Sequence, residues 1–252
     1  MEIKIYSDQE VLANAVADEI IQLVKRKPAA VLCMASGETP RLPCRMLVKK
    51  VKEQNIDMSR CTFIGLDEWV GIPPSNEGSC HYFFRHELFA PLSLRDDQTN
   101  LFDGMTTDPE EECRRMDSFI FEKGVIDLMI VGIGMNGHIG FNEPGVSFNN
   151  YSHVIDLDET TITVGQKYFK SATPLKQGIT LGLKHLQDAK KVVLTANGSK
   201  KSDVIRQTVE GEVSPQFPAS IMQTQENGWV MIDNEAAAKI DRQKYQQLHA
   251  ME

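Results

Sequence analysis

Short apolar runs rich in β-branched residues recur along this chain, each separated from the next by a segment with helical periodicity. The clearest is Ile126-Asp127-Leu128-Met129-Ile130-Val131, which leads straight into Gly132-Ile133-Gly134-Met135-Asn136-Gly137-His138-Ile139-Gly140. Such a run reads as a strand buried on both faces. Strands that alternate with helices imply a mostly parallel central sheet with helices on both faces, a three-layer α/β fold. The chain has 252 residues, enough for a well-buried core, and no repeat, low-complexity tract or linker divides it. One domain over 1–252 is therefore expected.

The pattern places strands at 3–6, 29–34, 61–65, 126–131, 154–157, 191–196, 219–222 and 229–232. Ser7-Asp8-Gln9-Glu10 has the form of a capping box. It opens a helix whose apolar face uses Val11, Leu12, Ala15, Val16 and Ile20, and Pro28 closes the segment. Further helical segments are expected from about Pro40 to Lys52, around 79–89, over 108–122 and over 199–210. The polar tail 235–252 reads as a terminal helix with a frayed end. Residues 146–173 carry few core signals, which marks them as a candidate lid.

Composition narrows the function classes. A formal net charge of −8 argues against nucleic acid or an anionic membrane as partner. It leaves room for a small anionic ligand, which backbone N–H groups and one local Lys can hold. The five cysteines, Cys33, Cys44, Cys61, Cys80 and Cys113, form no CxxC pair, and they fit reduced thiols better than disulfides or a zinc site. With no signal-peptide pattern and no apolar run near the roughly 20 residues of a membrane span, a cytoplasmic protein is expected.

Three constellations follow strands, where open α/β sheets form their ligand crevice. Ala35-Ser36-Gly37-Glu38-Thr39-Pro40 joins a glycine turn to a helix start. Unpaired N–H groups and the Ser36 and Thr39 hydroxyls there suit a phosphate, although an ordinary turn with a Thr cap has the same pattern. Leu66-Asp67-Glu68-Trp69 sets two adjacent carboxylates at a strand end. Asp67 fits a general base tuned by burial, and Glu68 fits either a partner or a turn cap. The third is the glycine-rich block, in which His138 and Glu143 fit an imidazole whose tautomer a carboxylate fixes. His81, His86, His153, His185 and His249 form no metal-ligand spacing with it, so no metal is expected.

With these pieces together, the sequence resembles the glucosamine-6-phosphate deaminase/isomerase family, including its galactosamine-6-phosphate branch. The resemblance is carried by Ser36-Gly37-Glu38-Thr39-Pro40, Asp67-Glu68-Trp69-Val70-Gly71-Ile72-Pro73, Gly134 through Pro144, and Gly198-Ser199-Lys200-Lys201. It implies a modified Rossmann-like fold and no cofactor. The activity it implies converts glucosamine 6-phosphate or galactosamine 6-phosphate to the ketohexose 6-phosphate with loss of ammonia. His138 would open the sugar ring, oriented by Glu143 and Asn136. Asp67 would move a proton between C2 and C1, and Ser36, Gly37, Thr39 and Lys201 would grip the phosphate. The partner would be a small phosphorylated amino sugar, and a homo-oligomer is possible. Two alternatives stay open: a 6-phosphogluconolactonase-like hydrolase, against which Trp69 and Glu143 speak, and a non-catalytic sugar-phosphate sensor.

Three departures from the family pattern give expectations. Asn136 stands where some members have Asp, so its amide oxygen is expected to accept from the imidazole without adding charge. Ile162 stands where many glucosamine enzymes are expected to have a phosphate-binding Arg, which tilts the reading toward the galactosamine branch. Residues 145–153 lack the Arg that regulated members use for the activator N-acetylglucosamine 6-phosphate, so no such activation is expected.

Overall fold

The computed structural model describes residues 1–241 together with Lys244 and Tyr245. The first half runs β1 (Glu2–Tyr6), α1 (Gln9–Arg26), β2 (Val31–Met34), α2 (Glu38–Glu53), β3 (Thr62–Gly65), β4 (Asp67–Trp69), α3 (Cys80–Phe84), β5 (Thr99–Asn100) and α4 (Pro109–Lys123). It continues with β6 (Leu128–Val131), β7 (His153–Asp156), α5 (Glu159–Gly165), β8 (Gln177–Thr180), α6 (Leu183–Asp188), β9 (Val192–Ala196), α7 (Ser202–Glu210) and β10 (Gly228–Asp233). The main sheet has seven strands in the order β1-β10-β9-β6-β2-β3-β5, and every pair in it is parallel.

The apolar runs divide their side chains between the two faces, as a doubly covered strand must. Leu128 and Ile130 of β6 meet Leu12, Val16 and Ile20 of α1 and Leu47 of α2. Met129 and Val131 face the other way, among Cys113, Met116 and Ile120 of α4, Leu186 of α6 and Ile205 of α7. Fully burying each such side chain is worth roughly 1.5–3 kcal/mol. The three-layer arrangement expected from the alternation is the one observed.

Strand order fixes where a ligand can sit. From β2 the chain moves to β3 on one side, whereas β6 lies on the other side of β2 and leads on to β9. The order reverses between β2 and β6, and the loops leaving these two strands splay apart there into a crevice. The Ala35 N–H still bonds the Ile130 carbonyl at 2.9 Å, so both loops start from a fixed base.

Several elements differ from expectation for local reasons. Asp8, not Ser7, caps α1: its carboxylate accepts from the Glu10 and Val11 N–H groups, both at 2.9 Å, while the Ser7 hydroxyl donates to it. The apolar face shifts accordingly, leaving Val11 45% exposed and burying Ala13 and Ala17. Residues 219–222 are not a strand but part of a 3-10 segment, Pro218–Thr224. There the Ala219 N–H bonds Gly137 and the Ser220 hydroxyl closes on Ser214. The tail forms turns through residue 239, not the expected helix. Lys244 and Tyr245 are helical, and the remainder of that expectation lies outside the described residues. A second sheet, β4-β8-β7, is antiparallel; the sequence marked its β7, expected at 154–157, but not β4 or β8. Among the described residues, no helix is long and apolar enough to cross a membrane.

Candidate active site

The loops after β2, β3 and β6 enclose a cavity of about 610 Å³ whose lining includes Ser36, Gly37, Thr39, Asp67, His138 and Lys201. Six of the eight residues singled out in the sequence therefore share one space. The other two, Asn136 and Glu143, sit behind the imidazole. The Glu143 carboxylate lies 3.4 Å from His138 Nδ1 and is itself buried, at 4% exposure.

The glycines of the block have steric reasons. A Cβ on Gly134 would stand 2.2–2.4 Å from the His138 ring atoms, so only glycine lets the imidazole lie over this turn. The Gly134 N–H closes the turn by bonding the His138 carbonyl at 2.9 Å. Asn136 holds the pair from behind. Its amide donates to Glu143 Oε2 at 2.9 Å, and its oxygen accepts from the His138 backbone N–H at 3.2 Å. The expectation that this oxygen meets the imidazole is thus corrected; Asn136 orients the carboxylate and the loop.

A further hydroxyl, which the sequence did not single out, completes the arrangement. Thr161 Oγ1 from α5 lies 3.0 Å from His138 Nδ1. With Nδ1 turned toward Thr161 and Glu143, Nε2 is the ring nitrogen left for a ligand. Burial works to raise the Glu143 pKa, but the imidazole and the Thr161 and Asn136 donors outweigh it and hold the carboxyl below its usual value. Glu143 therefore stays charged beside the ring.

Asp67 opens β4, opposite Thr180 of β8. Burial pushes its carboxyl up from 3.8 to about 6, against the opposing pull of the Cys80 thiol and His138. Glu68 points the other way and accepts from the backbone N–H groups of Trp69, Cys80 and His81 at 2.9, 3.0 and 2.9 Å. It ties the start of α3 to β4, a fold-holding role. Burial raises its pKa to about 7 against those three donors.

The opposite end of the cavity is cationic. Gly37 caps α2 with a φ of +116° and, as glycine, offers no side-chain acceptor of its own to the first N–H groups, a helix start suited to an anion. A Cβ on Gly37 would come within 3.2 Å of the Tyr168 hydroxyl. The Lys201 ammonium reaches this end and donates to the Ile133 carbonyl at 2.5 Å. Burial first, then the neighbouring Lys167, lowers its pKa to about 8. Lys167 also lines the cavity, and it was not foreseen. Ile162 does not line it; its side chain is partly buried against the apolar cluster that includes Trp69, Phe141 and Leu175. Position 162 carries no cation, as the sequence shows, and Lys167 of the following turn lines the cavity. Arg41, also at the mouth, is tied to Glu87 and Glu38. Among the described residues no group of three or more His, Cys, Asp or Glu side chains could hold a metal ion.

A carboxylate, an imidazole and two lysines on one switch-point cavity beside a helix N-terminus are the features of an α/β class suited to a small anionic ligand. The comparisons narrow the class. A family model described as glucosamine-6-phosphate isomerases/6-phosphogluconolactonase matches residues 7–231, and the chain belongs to that family. A glucosamine-6-phosphate deaminase of Thermoanaerobacter sp. (strain X514) is 36% identical over 241 residues, 95% of each chain. One of Bacillus pumilus (strain SAFR-032) is 37% identical over 234 residues, 92% of this chain and 97% of the relative. A solved monomeric glucosamine-6-phosphate deaminase superposes with a TM-score of 0.92 at 33% identity, covering 94% of this chain and 99% of that one. The 6-phosphogluconolactonase of Trypanosoma brucei shares the fold, with a TM-score of 0.72 at 18% identity over 94% and 97% of the two chains.

Proposed function

We propose that this chain is a cytoplasmic amino-sugar-phosphate isomerase/deaminase that converts glucosamine 6-phosphate, or its C4 epimer galactosamine 6-phosphate, to the ketohexose 6-phosphate and ammonia. The observation that carries this reading is the buried Glu143 beside His138 Nδ1, on the same cavity as Asp67. A hydrolase opening a lactone has no need to move a proton between carbons, and relatives 36% and 37% identical to this chain bear the deaminase name.

The phosphate sits between the α2 N-terminus, Ser36, Thr39, Lys201 and Lys167, which extends the hexose toward His138 and Asp67. His138 protonates the ring oxygen through Nε2 and the pyranose opens. Asp67, still ionised at neutral pH yet more basic than an ordinary carboxylate, removes the C2 proton and returns it at C1 through an enolamine. The resulting C2 imine takes up water and releases ammonia. The tilt toward the galactosamine branch rested on Ile162, which lies off the cavity, so the two epimers are distinguished by assay. Glucosamine 6-phosphate, galactosamine 6-phosphate and 6-phosphogluconolactone are incubated separately with the protein, and ammonia and acid are followed. Ammonia from an amino sugar supports the proposal; acid from the lactone alone, or binding without turnover, overturns it.

Lys201→Ala removes a charge-assisted bond to phosphate and is expected to raise KM about 10- to 100-fold with a smaller change in kcat. Lys167→Ala, on an exposed side chain, gives a smaller rise. Because the Lys201 ammonium titrates near about 8 in the free protein, the wild-type KM climbs above that pH. A KM unchanged in Lys201→Ala removes this residue from the phosphate end.

A further inference from the structure

Cys80 belongs to none of the roles above, yet its thiol joins the two ends of the site. It is the first residue of α3, 4% exposed, and part of the cavity lining. The Ser36 hydroxyl, in the turn that receives the phosphate, donates to Cys80 Sγ at 3.0 Å. The thiol in turn donates to Asp67 Oδ1 at 3.6 Å, within the reach of a sulfur hydrogen bond. Its backbone N–H is held by Glu68, which anchors the main chain from which the sulfur projects.

We propose that Cys80 is a positioning residue, a hydrogen-bond relay through which occupancy of the phosphate turn at Ser36 sets the strength of the base Asp67. The inference rests on the reading of Asp67 as the base. Burial and the two neighbouring carboxylates hold the thiol pKa well above its usual value, so Cys80 is a protonated donor and not a nucleophile. While Ser36 donates to the sulfur, the S–H is polarised and its bond to Asp67 is stronger, since linked hydrogen bonds reinforce one another. A phosphoryl oxygen that takes the Ser36 proton removes that support. The S–H bond then weakens and the carboxylate becomes more basic once substrate is seated. Binding at the unreacting end of the sugar is in this way felt at the reacting end. The titratable groups facing Asp67 besides Cys80 are His138 from the glycine-rich block, Tyr168 from the opposite wall, Cys33 on β2 and Glu68 next along β4. None of them also contacts Ser36 by a hydrogen bond given for the described residues, and Cys80 does.

The test is the acid limb of kcat/KM against pH for wild type, Cys80→Ala, Cys80→Ser, Ser36→Ala and the Ser36→Ala/Cys80→Ala double variant, with Asp67→Asn alongside. Titrations of the substrate are common to all and cancel in the comparison. Loss of the thiol donor moves the limb up by about half a unit to one unit, and the stronger hydroxyl donor of Cys80→Ser moves it down. Ser36→Ala moves it up, and that shift vanishes in the Cys80→Ala background. A packing role for Cys80 predicts no opposed shifts. If both Cys80 variants leave the limb in place, move it the same way, or add to Ser36→Ala, the relay is wrong while an inactive Asp67→Asn keeps the base. Wild-type activity in Asp67→Asn overturns the base and the relay together.

Discussion

Asp67→Asn is expected to lower kcat by about 10² to 10⁴, the usual worth of a positioned general base, with inorganic phosphate binding unchanged at the other end of the cavity. The amide keeps the shape and loses the lone pair that takes the C2 proton. In the wild type, the same assignment requires kcat/KM to fall as pH drops below about 6, where the carboxyl takes up its proton. The substitution also acts on stability, with the opposite sign. The folded protein binds the Asp67 proton more tightly than the unfolded chain, since burial raises the pKa from 3.8 to about 6. Stability therefore declines as pH rises through that window and stays lower above it. The shift corresponds to a penalty on the order of 3 kcal/mol at neutral pH. Asp67→Asn should thus be less active and more heat-stable at pH 7, and more nearly level with wild type at pH 4. Calorimetry at the two pH values, beside a kinetic assay, checks both halves. A variant that keeps wild-type kcat removes Asp67 from the chemistry.

The parts of this design that were legible in the sequence are those in which one strand governs its own outlet. A run such as Leu128–Val131 must be covered on both faces, and glycines after it must turn, so β6 and the position of His138 could be placed without coordinates. Asp67 was legible for the same reason at the end of β3. The relation of Thr161, Lys167 and Cys80 to the site was not, because each is brought in by a segment whose local pattern serves another purpose. Thr161 belongs to a seven-residue helix, and Cys80 caps a buried turn onto Glu68. Of the antiparallel β4-β8-β7 sheet only β7 was marked in the sequence, and the pairing escaped notice because Gln177–Thr180 offers only one large apolar side chain, Ile179, to mark a strand. Residues 219–222 misled in the other direction. Their apolar character reports burial, which a short run shares between strand and helix, and here Pro218 and the Ser214–Ser220 contact choose the 3-10 turn. Helix α5 shows the same limit. Adjacent residues on α5 point about 100° apart, so Thr161 lines the cavity and Ile162 does not, which counting along the sequence could not settle.

His138→Gln separates the two halves of the reaction. The imidazole acts before Asp67, by protonating the ring oxygen, so its loss should reduce kcat/KM by about 10² to 10⁴ while leaving the C2–C1 proton transfer machinery intact. Glutamine retains a polar side chain over Gly134, where the missing Cβ leaves room, so the loop has no steric reason to collapse. Open-chain sugar still forms in water without help, and Asp67 can act on it. The variant's rate should therefore rise with enzyme concentration only until spontaneous opening becomes limiting, and then level off. Asp67→Asn, impaired after opening, shows no such ceiling and stays proportional to enzyme throughout. The contrast follows from geometry: Glu143 and Thr161 engage Nδ1 and so commit Nε2 to the ligand, whereas Asp67 approaches from β4 with its own donors. A His138→Gln rate that stays linear in enzyme up to substrate-limiting concentrations places the imidazole in the later steps. In that case Asp67 and His138 serve the same carbon centre, and ring opening falls to another group on the cavity wall.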